Sequence, residues 1–333
     1  MSSTTHSTTR PLALGYEKVV SPSIQTPTTK QSTWGLFAPL QHELLVTRRL
    51  LSSNAVGFLF IFVGGMLSRA ISAPLPLSET VLALAKSLSL CLLCSYIFDI
   101  CNQTTSPEED YVNKPDRPIP SGLITVEQGK TRWLMAWTIG PIAMYVLFGP
   151  WAMLHLLHWE VLITVCYVWP RWFSWFMRNY FVSFSYCILG RLLNQVLAQG
   201  IPAWNISFLI DVSIFVWFMG TIHIQEFHDL EGDRKSDRTT LPMLLSPRGL
   251  VLLRFGTSLF TLLFGLGLAF TGYKKIGQDM ITPMMSGLQL FASGILAYRI
   301  SASTSAQYDR VTFHVYYYIP VLTILLTMVL VIK

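Results

Sequence analysis

Two stretches of this 333-residue chain concentrate acidic and amide side chains at a spacing that suits metal binding. The members of the first stretch are Asp99, Asn102, Gln103, Ser106 and, beyond them, Asp110. The first four lie at positions i, i+3, i+4 and i+7, so on a continuous helix they would share one face. Pro107 is expected to bend or end that helix, and the segment Arg117-Pro-Ile-Pro-Ser-Gly122 is expected to form a stiff, extended exit.

The second stretch repeats aspartate at every fourth residue, at Asp229, Asp233 and Asp237. Four residues of a helix turn by about 400°, so each carboxylate would lie only about 40° around the helix from the one before. Carboxylates on one face repel each other, and a divalent cation would remove that repulsion. Such a run is also compatible with a solvated helix face that binds nothing.

Magnesium bound to a phosphate group is the chemistry that fits both stretches. Mg²⁺ takes hard oxygen ligands and commonly bridges carboxylates to a phosphate. Basic residues interleaved with the acids would hold the remaining phosphate oxygens. In the two stretches these basic residues are Lys114, Arg117, Lys235 and Arg238. The pattern therefore predicts that the two clusters clamp a diphosphate between them.

The composition indicates what kind of scaffold must position these residues. Charged residues make up 13% of the chain, about half the share in an ordinary soluble domain, and the apolar set AVILMFWYC makes up 52%. This balance indicates a multi-pass membrane protein and excludes a disordered chain. The five cysteines are too few for a secreted disulfide scaffold, and we interpret them as packing residues. The net charge of +6 is spread over short loops, so no nucleic-acid partner is expected.

Nine apolar stretches are long enough to span a membrane. Their approximate bounds are 54–72, 79–101, 131–150, 152–169, 180–199, 204–225, 250–271, 283–301 and 312–332. We therefore predict an all-α, polytopic membrane helical bundle of about nine transmembrane helices over residues 36–333. Residues 1–35, rich in Ser, Thr and Pro, are predicted to form a disordered cytosolic tail. Lys and Arg fall almost entirely in alternate loops, which places those loops and both acidic stretches in the cytosol.

The sequence resembles the UbiA superfamily of intramembrane prenyltransferases. Two segments carry the resemblance: Asp229-x-Glu231-Gly232-Asp233-Arg234 with Thr240-Leu-Pro242 downstream, and Arg117-Pro-x-Pro-x-Gly122. Members of this family have nine helices, with aspartate-rich motifs after the second and the sixth. The predicted order of spans and acidic stretches from about residue 50 to residue 333 is similar to that arrangement.

The first motif departs from the usual pattern of the family, Asn-Asp-x-x-Asp-x-x-x-Asp. Asn102 matches its first position and Asp110 its last, whereas Gln103 and Ser106 replace two aspartates. The residues that could substitute for the missing carboxylates are Asp99 and Glu109. The altered motif is similar to that of a fungal branch of the family, which includes membrane-bound terpene cyclases.

The resemblance implies an enzyme that ionises an allylic prenyl diphosphate of C15 or C20 with Mg²⁺ inside the bundle. The implied metal-binding residues are Asn102, Asp110, Asp229, Asp233 and Asp237. The implied diphosphate-binding residues are Lys114, Arg117, Lys235, Arg238 and Arg171. The fungal likeness favours a sesqui- or diterpene cyclase of secondary metabolism in the endoplasmic reticulum. A prenyltransferase acting on an aromatic or other acceptor is the alternative, and a non-catalytic transporter is a remote one; protein partners and oligomeric state stay open.

Three further features leave alternatives open. Arg171 ends a Tyr-Val-Trp-Pro-Arg segment similar to one in the family, and it could contact diphosphate or anchor its helix among lipid headgroups. Arg191 lies in mid-span and could face the substrate cavity or pair with Asp211 or Glu160. Aromatic residues could stabilise a carbocation or belong to interfacial belts. These aromatic residues are Trp169, Trp172, Phe173, Trp175, Phe176 and Tyr316, Tyr317 and Tyr318.

Overall fold

The computed structural model of this chain describes residues 37–52, 54–105, 107–168, 174–198, 208–235, 239–303 and 305–332. These ranges consist of helices and their connections, with no strand among them, so the all-α prediction is confirmed. Residues 42–333 form one compact unit. The predicted tail, residues 1–35, lies outside the described residues.

The long helices follow the order of the predicted spans. Their bounds are 55–72, Leu77–Thr105, Val126–Phe148, Pro150–Val168, Ser174–Ala198, Phe208–Phe227, Pro247–Tyr273, Ile281–Ser301 and 306–332. The helix Ala38–Leu51 precedes them, and the short helices Pro107–Asn113 and Leu230–Lys235 lie in the two acidic stretches. Among the described residues, five helices are long and apolar enough to cross a membrane, or six if the bent pair Ala38–Leu51 and Ala55–Ile71 is one span. The count of nine spans therefore stays a prediction.

Local sequence signals fix where several of these helices begin and end. Thr125 accepts a hydrogen bond from the backbone N–H of Gln128, and the Gln128 side chain accepts one from Thr125, so a capping box starts helix 126–148. That helix ends at Gly149, whose φ of 86° favours glycine, and Pro150 opens the next helix. Helix 77–105 ends before Pro107, as the sequence predicted, and Pro107 opens the next helix.

Three helices contain a π-helical turn, at Phe60–Gly64, Thr164–Val168 and Thr312–Tyr317. A π turn holds one residue more than a regular α turn and widens the helix locally. Each of these three turns contributes side chains to the cavity described below.

Ion pairs tie several of the described helices together. Arg254 donates from Nη1 and Nη2 to the two carboxylate oxygens of Asp309 at 2.9 and 2.6 Å, and its guanidinium lies 4.0 Å from the ring centroid of Phe227. These contacts fix the start of helix 306–332 against two neighbouring helices. Arg191 pairs with Asp211, which decides between the partners that the sequence left open for it.

Candidate functional site

A cavity of about 600 Å³ lies within the helical bundle. Sites for small molecules commonly have volumes of about 300–1,000 Å³, so this one has room for a single substrate of moderate size. Its walls come from helices 55–72, 77–105, 150–168, 174–198 and 208–227, and from helix 306–332.

The two acidic stretches meet at this cavity. Six of the predicted site residues line it: Asn102, Asp110, Lys114, Arg117, Asp229 and Asp233. The remaining predicted site residues cannot be placed in the same way, because Arg171, Asp237 and Arg238 lie outside the described residues, as does the side chain of Lys235. The structure thus brings together every predicted site residue whose side chain it describes.

Asp110 and Arg117 form a buried ion pair at the cavity. Arg117 Nη1 donates to both carboxylate oxygens of Asp110 at 2.7 Å, and the two side chains are only 3% and 6% exposed. Charge-assisted bonds of this length are among the stronger hydrogen bonds in proteins. Asp110 therefore holds the guanidinium in place, and any metal ion bound by Asp110 would share the carboxylate with Arg117.

The segment that follows Arg117 is not the extended exit that its prolines suggested. The backbone N–H of Ser121 donates to the carbonyl of Arg117 at 2.9 Å, and that of Leu123 donates to Pro118 at 2.9 Å. The segment therefore folds into consecutive turns, and Gly122 adopts a φ of 72°. The fixed φ of proline suits a turn as well as an extended chain, so composition alone did not distinguish the two.

Asp99 and Gln103 are not among the residues that line the cavity, although they share a helix with Asn102. Gln103 is fully buried, and its Nε2 donates to the carbonyl of Leu50 at 3.3 Å. Asp99 is also fully buried and accepts a hydrogen bond from Asn54 Nδ2. Both residues therefore contact the bend between helices 38–51 and 55–72. The side chain of Glu109, the other substitute, is not among those described.

Restoring the family's aspartate at position 103 is expected to harm the protein. The variant Gln103→Asp removes the N–H donor from the carbonyl of Leu50 and buries a carboxylate, which should lower the free energy of unfolding by about 1–3 kcal/mol. Activity should not rise, because this position does not face the cavity. Asn102→Asp is the matched control, since it adds a carboxylate at the neighbouring position that does line the cavity. Thermal unfolding in detergent measures the stability of both variants. A Gln103→Asp variant that is both stable and more active than the unaltered protein would contradict this assignment.

Other charged residues line the same end of the cavity without having been predicted. Arg178 Nη1 lies 3.9 Å from Glu226 Oε1, and the Glu226 side chain is 1% exposed. Glu226 Oε2 also accepts a hydrogen bond from the backbone N–H of Leu241 at 3.3 Å. Arg310 adds a further cation from helix 306–332. Together with Lys114 and Arg117, these cations make the end of the cavity suitable for a polyanion.

Two histidines also lie at this end of the cavity. The ring of His228 stacks on Phe313 with centroids 5.9 Å apart, and it lies 5.4 Å from the ring of His314. Burial lowers the pKa of His228 below its ordinary value, although Asp229 Oδ2, 3.5 Å from His228 Nε2, acts in the opposite direction. His228 directly precedes Asp229, and this adjacency was the one sequence signal that could have revealed it.

Aromatic rings form most of the remaining wall. Those that line the cavity are Phe58, Phe98, Trp159, Tyr167, Phe181, Tyr186, Phe218, Phe313, Tyr317 and Tyr318. Several are locked against each other; for example, the Phe98 and Phe181 rings stack with centroids 5.2 Å apart. Of the aromatic residues predicted as candidates, Tyr317 and Tyr318 line the cavity, whereas Tyr316 covers the guanidinium of Arg299. Trp169, Trp172 and Phe173 lie outside the described residues.

The donor groups at the charged end fit one particular mode of Mg²⁺ binding. Within the described ranges, no three His, Cys, Asp or Glu side chains are grouped so that they could hold a metal by themselves. Mg²⁺ is usually bound through one or two carboxylates, with substrate phosphates and water as the other ligands. Asp229 and Asp233 suit that mode, because they lie one helical turn apart and both reach the cavity. The amide oxygen of Asn102 offers a third hard ligand.

Comparison with known proteins shows the family to which this chain is related. Residues 57–319 match the UbiA prenyltransferase family. Diterpene cyclase eriG of Hericium erinaceus is 29% identical over 67% of this chain and 69% of its own length. Polyprenyl transferase eriF of the same fungus is 28% identical over 67% and 73%. Somaliensene A/B synthase of Streptomyces somaliensis is 27% identical over 67% and 72%.

A solved structure shares the fold. The UbiA homologue from Archaeoglobus fulgidus, determined with GPP and Mg²⁺ bound, superposes with a TM-score of 0.57 at 13% identity, over 85% of this chain and 99% of that one. Such neighbours are membrane helical bundles, which confirms the predicted polytopic membrane architecture. The family match covers well over half of the sequence. The chain therefore belongs to the UbiA prenyltransferase family, and it is a membrane enzyme of the terpene cyclase or prenyltransferase kind.

Proposed function

We propose that the protein ionises an allylic prenyl diphosphate of C15 or C20 in a Mg²⁺-dependent reaction and cyclises the resulting cation, which becomes a neutral terpene when it loses a proton to the released diphosphate. The observation that carries this proposal is the division of one cavity into a charged end and an aromatic remainder. The charged end suits a diphosphate with its metal ion, and the aromatic part suits the hydrocarbon chain. The cyclase eriG among the relatives supports the same activity.

At the charged end, Asn102, Asp110, Asp229 and Asp233 would hold Mg²⁺, with Asp110 sharing its carboxylate with Arg117. Asp237 would be a further ligand outside the described residues. The metal ion supplies Lewis-acid stabilisation of the departing diphosphate. Arg117, held by Asp110, would bind the diphosphate oxygens and offset the negative charge that grows as the carbon–oxygen bond breaks. The further basic residues assigned to this task are Lys114, Lys235, Arg238 and Arg171.

In the aromatic part, the rings would keep water away from the carbocation and stabilise it. A cation over an aromatic face gains about 2 kcal/mol or more when it is desolvated. Trp159 is one of these rings, and its Nε1 donates to Ser185 Oγ at 2.9 Å, so the polar atom of the ring is satisfied. A rigid wall of this kind would also fold the prenyl chain back on itself, as cyclisation requires.

Two observations favour cyclisation over transfer to an acceptor. Beyond the charged end, the described lining residues include tyrosines but no carboxylate or imidazole that could deprotonate an acceptor. The first motif also lacks two of the family's three aspartates, and its altered form is similar to that of the fungal branch that includes terpene cyclases. Prenyl transfer to an aromatic or other acceptor is the second candidate, supported by the relative eriF. A transporter gains no support from these relatives.

Membranes containing the protein provide the direct test. They would be incubated with C10, C15 or C20 prenyl diphosphate and Mg²⁺ without an acceptor, with Asp233→Asn membranes as the control. Cyclic hydrocarbons detected by mass spectrometry only with the unaltered protein are the expected result. Turnover that appears only after addition of a phenolic acceptor would favour the transferase, and no release of pyrophosphate under either condition would refute both.

We also propose that the protein resides in the endoplasmic reticulum membrane with the charged end facing the cytosol. The distribution of Lys and Arg among alternate loops supports this orientation. In the same scheme, residues 1–35 lie on the cytosolic side and residues 36–333 are the transmembrane domain. A membrane-impermeant thiol reagent applied to sealed vesicles tests the orientation: a cysteine introduced at exposed Asp116 should react only from the cytosolic side.

A further inference from the structure

A second, much smaller cavity of about 40 Å³ lies next to the main one. The two cavities share two lining residues, Ile61 and Tyr186. The wall between the cavities is therefore formed by side chains from two facing helices.

Helix 174–198 shows that the small cavity continues the main one along the bundle. One face of this helix lines the main cavity from Arg178 at the charged end, through Ser185, to Tyr186. The same face then lines the small cavity at Tyr186, Gly190 and Leu193. Eight residues of helix separate Arg178 from Tyr186, which corresponds to a depth of about 12 Å.

Helix 55–72 shows the same order. Gly57 and Ile61 line the main cavity, and Ile61, Gly65 and Ser68 line the small one. Helix 208–227 agrees, because its residues from Phe218 towards the charged end line the main cavity and its earlier residues line the small one. Three helices thus place the boundary at one level of the bundle.

The ring of Tyr186 is fixed at this boundary from both sides. Its hydroxyl donates to the backbone carbonyl of Gly57 on the facing helix at 3.4 Å. Its ring stacks on Phe218 with centroids only 3.9 Å apart. The Tyr186 side chain therefore bridges helix 174–198 and helix 55–72, with Ile61 beside it.

We infer that Tyr186, with Ile61, is the floor of the substrate cavity and sets the longest prenyl chain that the protein accepts. This inference rests on the proposed function, because it assumes that the diphosphate lies at the charged end. A chain anchored there can extend only as far as the phenol ring of Tyr186. Behind the ring lies the small cavity, which the chain cannot reach.

The inference predicts the effect of removing the ring. Tyr186→Ala deletes a group about as large as one isoprene unit and joins the two cavities. The ratio of kcat/KM for a prenyl diphosphate one isoprene unit longer than the preferred one, relative to the preferred one, should rise at least about tenfold, since single methylenes in apolar pockets already change such ratios by about 10–200-fold. Tyr186→Phe keeps the ring and should keep the wild-type ratio.

Leu193→Ala is the matched control. It enlarges the small cavity but leaves the wall intact, so the chain-length ratio should not change. Ile61→Ala opens the wall from the facing helix and should shift the ratio in the same direction as Tyr186→Ala. This second variant keeps the test available if Tyr186→Ala does not fold in detergent.

The measurement is pyrophosphate release from C10, C15, C20 and C25 prenyl diphosphates, which detects ionisation whether the product is a cyclic terpene or a transferred prenyl group. An unchanged ratio in both wall variants, or an equal shift in Leu193→Ala, would overturn the floor assignment while the proposed function stands. No pyrophosphate release by the unaltered protein from any of these substrates would overturn the proposed function, and this inference with it.

Discussion

The variant Asp233→Asn is expected to release pyrophosphate more than about 100-fold more slowly than the unaltered protein. Asp233 is buried, lines the cavity and lies one helical turn from Asp229. Loss of groups that merely support a metal ligand commonly costs about 10–100-fold, and loss of a carboxylate ligand should cost more. The amide keeps the size of the side chain, so the protein should remain folded.

Asp116→Asn is the matched control for this prediction. It removes the same charge from the first acidic stretch, but Asp116 is exposed and does not line the cavity. Its rate should stay within about twofold of the wild-type rate, as for most exposed surface positions. Raising the Mg²⁺ concentration should partly restore Asp233→Asn if the defect is weaker metal binding. Equal rates of pyrophosphate release for Asp233→Asn and the unaltered protein would show that Asp233 is not part of the site.

The second large effect is expected from the buried pair of Asp110 and Arg117. Arg117→Met leaves the carboxylate of Asp110 buried without the guanidinium nitrogen that donates to both of its oxygens. Removing one partner of a buried ion pair typically costs about 3–5 kcal/mol. Thermal unfolding in detergent should therefore show a large loss of stability, and pyrophosphate release should fall as well.

The double variant Asp110→Leu/Arg117→Met separates stability from function. Replacing a buried ion pair by apolar side chains is often neutral or stabilising, so most of the lost stability should return. Activity should not return, because the cavity has lost a cation that would bind diphosphate. A double variant as unstable as Arg117→Met would show that the pair is not the source of the effect, and an active double variant would remove Arg117 from the diphosphate site.

The order of the apolar stretches along the chain was sufficient to predict that the two acidic stretches lie close together. Asn102 and Asp229 are far apart in sequence, but the stretches follow the second and sixth predicted spans, which places them on one side of a membrane. The structure places both residues at the same cavity. This part of the site depended only on the number and order of the apolar stretches between the two residues.

The orientation of individual side chains could not be obtained in that way. Consecutive helical residues lie about 100° apart around the axis, so Asn102 and Gln103 cannot face the same point even though both belong to one broad helix face. Only the position of helix 38–51 decides that Gln103 is used for packing and Asn102 for the cavity. The sequence spacing alone contained no information about that neighbour.

Residues brought together by tertiary packing were missed for a related reason. Arg178 and Glu226 lie on different helices, and no local spacing connects them. For Arg191, the sequence could only reduce the number of candidate partners to a few. A charge within the membrane indicates that a partner exists but does not identify it. To predict that Arg191 pairs with Asp211, one must know how the two helices are rotated relative to each other. The periodicity of the sequence does not specify that rotation.

The three π turns make the cavity wall sensitive to changes in chain length as well as to substitutions. Deleting one residue from the turn Thr312–Tyr317 would restore a regular helix and shift the phase of everything after it by about 100°. Neighbouring residues would then take the places of Tyr317 and Tyr318 on the cavity wall, although no residue would have been substituted. Single-residue insertions and deletions inside these helices are therefore a route by which proteins of this fold can acquire new products, and an alignment that forbids gaps in helices would conceal it.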